Sequence, residues 1–396
     1  MRAMTKVRVA CAAVGAIAWW ATGTLAAQKS APLPSTVPPV LWHSSGEGRG
    51  RPAADDQTAY FLSKNHEVRA FDAASGAQRW SQVTGEPGEA TSGSTLVLAG
   101  PVVVAGDYNL AAFAPDTGNL RWRFLPAVGY APGIYLGEAS NALVFAGSAT
   151  GRVYAVGAAS GELVWSAQVA PSTEATAFPP ATDGHVVVVA FTVFGRPASG
   201  GVVCLDAATG HELWRFTFPK AVDPLLGVGS AGGPIVADDV VVASSGDGRV
   251  FGLDRTTGRL RWSLPPVDTI PPILRGPTPL PPGAPGPDFR PLARSGPLLF
   301  VGSLKGDVVA YELSTQRERW RFLDASQGSV SFALSSDDRS VYVPFASGRH
   351  VALAASNGAE RWRTPSADDG FHWPSVSSRR RVFLAGTKGG FVALGR

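Results

Sequence analysis

Cysteine is almost missing from this chain. Only Cys11 and Cys204 occur in 396 residues, and Cys11 falls in the N-terminal leader described below. A mature chain would keep Cys204 alone, which excludes an intramolecular disulfide framework. Cys204 sits in the apolar run Gly201–Leu205, where the expectation is a buried, inert thiol. Charge is also scarce. Charged residues make up 17% of the chain, with no basic run and no clustered Lys/Arg face. That sets nucleic acid aside as a partner. The formal charge of +4 overstates the balance, because Arg2, Lys6 and Arg8 belong to the leader and leave the remainder near +1. Haem-attachment and zinc-protease motifs (C-x-x-C-H, H-E-x-x-H) are absent. His43, His66, His185, His211, His350 and His372 are scattered without metal-ligand spacing. Disorder is excluded by a hydrophobic fraction of 45%. What is plentiful is Gly (46) and Pro (32), as many short strands with many turns require.

The N-terminus reads as an export signal over residues 1–27. Arg2, Lys6 and Arg8 precede the uncharged stretch Val9–Ala27, which ends in the small residues Ala26 and Ala27. Its length also suits an uncleaved membrane anchor, the alternative reading. Cys11 comes too early in the apolar stretch for a lipidated cysteine. Residues 28–39 (QKSAPLPSTVPP) read as a flexible tether before the folded domain, 40–396.

Seven segments within that domain share one pattern. AFDAASGAQRW ends at Trp80, AFAPDTGNLRW at Trp122, AVGAASGELVW at Trp165 and CLDAATGHELW at Trp214. GLDRTTGRLRW, YELSTQRERW and ALAASNGAERW end at Trp262, Trp320 and Trp362. Steps of 42, 43, 49, 48, 58 and 42 residues separate these tryptophans. A period in the forties carrying about four strands is the size of a propeller blade. In each segment an apolar strand enters a short turn whose Gly lies four residues before the Trp: Gly76, Gly118, Gly161, Gly210, Gly258 and Gly358. Glycine there supplies a positive φ without a Cβ penalty. Asp72, Asp206 and Asp254 at the turn entrance, and the Ser or Thr before the Gly, can accept local hydrogen bonds. The Trp320 copy is degenerate, with Glu312 for the Asp and Gln316 for the Gly.

A second hairpin recurs upstream of each turn, as in Leu143–Gly147 with Gly151–Tyr154 and Val382–Gly386 with Gly390–Ala393. It occurs eight times, because the last copy runs off the chain at Arg396. Val40-Leu41-Trp42 resembles the missing outer strand. The expectation is therefore an all-β, eight-bladed propeller of four-stranded antiparallel blades, its ends zipped together in the last blade.

The A-x-D-x-x-[TS]-G-x-x-x-W pattern resembles the tryptophan-docking repeat of the PQQ-type (quinoprotein-like) propeller family, over residues 40–396. Two branches of that family imply different tasks. PQQ-dependent dehydrogenases imply PQQ with calcium, held beneath an adjacent Cys-Cys pair and roofed by long insertions. This chain has no vicinal cysteines and no such insertions, so the resemblance carries over the fold without that cofactor. The BamB-type branch implies a non-catalytic scaffold bound to the outer-membrane barrel-assembly machinery. The latter, an exported monomer with no catalytic, cofactor or metal residues and only indirect membrane contact, is the leading expectation. A PQQ-dependent oxidoreductase or small-ligand binder using the central funnel is the alternative.

Other features carry bland readings. Gly227–Gly233 follows no strand-to-helix switch and reads as a blade turn, and Gly93-Ser94 lacks the setting of a nucleophile elbow. Asp55-Asp56, Asp238-Asp239, Asp337-Asp338 and Asp368-Asp369 read as turn carboxylates. Two features are candidates for binding. Phe371, His372 and Trp373 open the inner strand of the last blade, near a channel mouth. The proline-rich insertion 265–297 enforces extended, semi-rigid chain.

Overall fold

The computed structural model describes residues 38–85, 95–106, 109–126, 133–140, 142–170, 175–195, 198–220, 232–264, 291–331, 333–364, 370, 373–388 and 390–396. They belong to one compact unit, Pro32–Arg396. The leader 1–27, the tether up to residue 37, Gly93-Ser94, residues 227–231 of the glycine-rich run, the insertion residues 265–290, Asp368-Asp369, Phe371 and His372 lie outside the described residues.

Antiparallel sheets of about four strands repeat along the chain, the architecture of a β-propeller. Each unit is named here by the tryptophan on its last strand. The Trp80 unit runs Gly48–Ala54, Thr58–Ser63, Glu67–Asp72 and Gln78–Val83. The Trp165 unit runs Ile134–Ala139, Leu143–Ser148, Arg152–Gly157 and Leu163–Gln168. The Trp122, Trp214, Trp262, Trp320 and Trp362 units repeat the order. In the Trp214 unit the first strand is split into Ala175–Ala177 and Ala181–Thr182, both pairing with Val186–Val193. The first strands of the Trp80 and Trp122 units touch through one parallel bridge, Arg51 with Thr95.

Burial follows from this stacking. Middle strands are covered on both faces by neighbouring units, so Val102–Gly106 and Val240–Ser244 are buried throughout and read as continuous apolar runs. The last strand has one covered face. Leu163–Gln168 therefore exposes Leu163 and Val164 and buries Trp165. The apolar clusters lie between units: Phe145, Val153 and Trp165 of one pack with Val187, Val203 and Leu205 of the next.

The final unit combines both ends of the chain. Val376–Ser377, Arg381–Gly386 and Gly390–Gly395 take their outer strand from Val40–Ser44, which pairs antiparallel with Gly390–Gly395. Trp42 stands opposite Ala393 as Trp80 stands opposite Ala70.

Candidate functional site

The repeated motif builds a latch between units. At Trp165, the indole Nε1 donates to the carbonyl of Ala207 in the next unit's turn at 3.0 Å. Its ring lies over Gly210, where an added Cβ would come within 2.6 Å of it. Gly210 has φ +72°, a left-handed conformation that favours glycine. Asp206 orders the turn by accepting from the Ala208 and Thr209 amides and, at 2.7 Å, from the Thr209 hydroxyl. A register shift between Cys204 and Leu205 supplies the bulge. Trp42, Trp80, Trp122, Trp214 and Trp320 likewise donate to Ala73, Pro115, Ala158, Arg255 and Ala355 at 2.8–3.0 Å. They cover Gly76, Gly118, Gly161, Gly258 and Gly358. Trp362 meets no such turn, because the next unit's outer strand comes from the N-terminus. It is buried instead among Tyr342, Val382, Leu384, Val392 and Leu394.

Two charged side chains mark the inner rank of strands. Arg51 projects from Gly48–Ala54, and Glu138 projects from the first strand two units further on. Both residues are exposed to solvent. Desolvation lowers the Arg51 pKa, against the opposing pull of Glu138. Desolvation raises that of Glu138, opposed by the Thr182 amide donating to its carboxylate at 2.9 Å and by Arg51. Nothing in the sequence pattern singled out this pair, which lies 87 positions apart. Of the predicted aromatic cluster, only Trp373 is described; it is half-buried, close in sequence to Ser375, whose hydroxyl meets that of Ser335 at 2.8 Å.

A cleft of about 730 Å³ opens between the Trp262 and Trp320 units. Trp262, Arg261, Asp238 and Asp239 line one side, and Arg294, Leu313 and Gln316 the other. Its charges are already paired, Arg294 with Asp238 at 3.1 Å and Arg261 with Asp239 and Asp254.

The donor set does not fit a quinone–calcium centre. Vicinal cysteines are absent from the chain, and among the described residues no three His, Cys, Asp or Glu side chains converge. The described acidic pairs serve turns and ion pairs. Asp55 accepts the Gln57 and Thr58 amides, and Asp337 accepts those of Arg339 and Ser340. Cys204 is fully buried, and burial pushes its thiol up to about 12.

A family model described as outer membrane protein assembly factor BamB matches residues 7–178, 109–270 and 304–395. The BamB of Bordetella pertussis is 30% identical over 197 residues, 46% of this chain and 48% of that protein. This match thus spans about half of that relative's length. The BamB of Burkholderia pseudomallei is 26% identical over 382 residues, covering 91% of this chain and 87% of its own. Among solved structures, BamB from Moraxella catarrhalis superposes with a TM-score of 0.66 at 19% identity, over 91% of this chain and all of that one. The quinohemoprotein alcohol dehydrogenase of Comamonas testosteroni also gives 0.66, at 15% identity over 90% of this chain and 76% of its own. At these identities both structures speak for the fold alone.

Proposed function

This chain belongs to the family of the outer membrane protein assembly factor BamB, and from that premise we propose an exported, non-catalytic propeller that presents its loops to another protein of the cell envelope. The partner we favour is the machinery that assembles outer-membrane barrels, because the relatives are named outer membrane protein assembly factors. The reading includes an eight-bladed ring closed by the chain's own ends. Pairing of Val40–Ser44 with Gly390–Gly395 supports it, since such a joint ties the first blade to the last. It also includes a monomer that carries no cofactor, meets the membrane only through its partner and does not bind nucleic acid.

The observation that carries the non-catalytic half is the donor set. The described residues converge for packing and turn capping, and the chain lacks the cysteine pair of the quinone enzymes. The enzyme reading makes a contrary demand that can be measured. Titrating the purified chain with PQQ and calcium, read by tryptophan fluorescence, should leave the emission unchanged up to high micromolar quinone. Saturable quenching that requires calcium would instead place the protein with the dehydrogenases.

A further inference from the structure

The Trp262 latch differs from the others on both of its sides. Where the next unit should offer glycine, it offers Gln316, held at φ +56° with a Cβ in the space the indole would occupy. The Gln316 side-chain amide donates to the carbonyl of Leu313 at 2.6 Å. Leu313 holds the turn position whose counterparts Ala73, Pro115, Ala158, Ala207, Arg255 and Ala355 receive the indole N–H in the other latches. The glutamine therefore both blocks the seat and takes its acceptor.

The second departure is on Trp262's own unit. The residue opposite each tryptophan on the adjacent strand is Ala70, Ala112, Ala155, Cys204, Ala310, Ala352 or Ala393. Opposite Trp262 it is Gly252, and a Cβ there would overlap the indole ring. Trp262 is folded back onto that glycine and half-buried, whereas the other seven repeat tryptophans are 6–9% exposed. Its indole N–H donates to no acceptor among the described residues. The cleft is the space this leaves.

Two separate sequence changes thus produce one alternative position for the same side chain. We infer that the propeller contains a yielding joint between the Trp262 and Trp320 units, where Gln316 closes the ordinary tryptophan seat and Gly252 provides another. A buried cluster of Ala237, Val240, Val242 and Val250 with Leu299 and Val301 still crosses the joint, but on the side of the last strands what remains is weaker. The Arg294–Asp238 pair is solvent-exposed and contributes little, and the apolar contacts of Trp262 with Tyr311 and Leu313 are partly open to water. Local opening follows the least stable contacts of a fold, so the units separate here before they separate at a latched boundary. This joint is a property of the fold and stands or falls apart from the envelope role.

Hydrogen exchange resolved by peptide, on the whole chain, tests it first. Amides of Leu260–Leu264 and of the 312–316 turn should exchange about tenfold faster than their counterparts in Glu212–Thr217 and the 254–258 turn. Equal or slower exchange overturns the joint. A substitution cycle tests the cause. Gln316→Gly should move Trp262 onto the turn, seen as a displaced resonance in fluorotryptophan-labelled protein assigned with Trp262→Phe, and should slow exchange at the joint. Gly252→Ala alone removes the alternative seat while the ordinary one stays blocked, and should lower the urea midpoint. With both changes the midpoint should exceed that expected from adding the two effects. An unmoved Trp262 resonance in Gln316→Gly, or simple additivity, contradicts the account. Should Gly252→Ala not fold, the exchange comparison and Gln316→Gly still decide.

Discussion

A single indole in this fold fills a groove, covers a backbone turn and donates one hydrogen bond, so its loss is felt in each. Trp165→Ala should cost ~3–5 kcal/mol, as truncation of a buried aromatic does, read as a lower urea midpoint at unchanged slope. The same latch can be broken from the other side. Gly210→Ala puts a Cβ within 2.6 Å of the Trp165 ring and strains a φ of +72°. It should cost roughly 1–3 kcal/mol, and together with Trp165→Ala should fall short of the summed loss. Cys204 offers a check of burial. With the thiol pushed up to about 12 and no exposed surface, it should stay unreacted with an aromatic disulfide reagent at pH 8 until denaturant is added. Rapid labelling of native protein would contradict the packing around it.

At the scale of elements, the turn was the legible part. Gly four residues before Trp, with Asp or Ser/Thr at fixed offsets, encodes the whole strand–turn–strand segment locally, so the sequence pattern located those strands. The inner strands were harder. Ile235–Val236 and Ser335–Ser336 are two residues each, too short to show alternation, and are defined by their pairing with neighbours. Arg51 and Glu138 left no local signal, since their electrostatic influence on each other arises from the stacking of units. Gln316 was visible as a degenerate turn, but its consequence depends on Gly252, and only the register sets those two positions around one indole. The chain terminus is a further tertiary device. Arg396 reaches Asp337 at 2.9 Å, and the Tyr342 hydroxyl donates to the same carboxylate at 2.6 Å. Burial opposes ionisation of Asp337, but Tyr342, the amides of Arg339 and Ser340, and Arg396 outweigh it and hold its pKa below the ordinary value. Its contribution is therefore complete above the unfolded carboxylate pKa of about 3.9 and is lost as pH falls through the lower folded value. Asp337→Asn should be less stable at neutral pH, with the gap from the parent narrowing below about pH 4; a gap independent of pH would exclude this role. Removing Val40–Ser44 tests the other end. It uncovers Gly390–Gly395 and takes Trp42 from Phe61, Phe71 and Phe383. A chain beginning at Gly46 should lose stability by more than Trp42→Ala alone.

For the molecule as a whole, function depends on what the repeat leaves free. Among the described residues, turn caps and ion pairs engage many of the polar side chains. The first strands carry Arg51 and Glu138, while the last strands turn Leu163, Val164, Leu213 and Leu323 outward. That distribution suits a body whose periphery and loops meet other proteins, which is the proposed role. The most direct measurement is capture from the native envelope. The tagged chain is expressed in its host, crosslinked in living cells, and the proteins joined to it are identified. Recovery of barrel-assembly components, with crosslinks on the propeller's loops or rim, is the predicted result. Recovery of an electron-transfer protein in their place, or of no envelope protein under conditions that capture a known assembly subunit, would contradict the scaffold account.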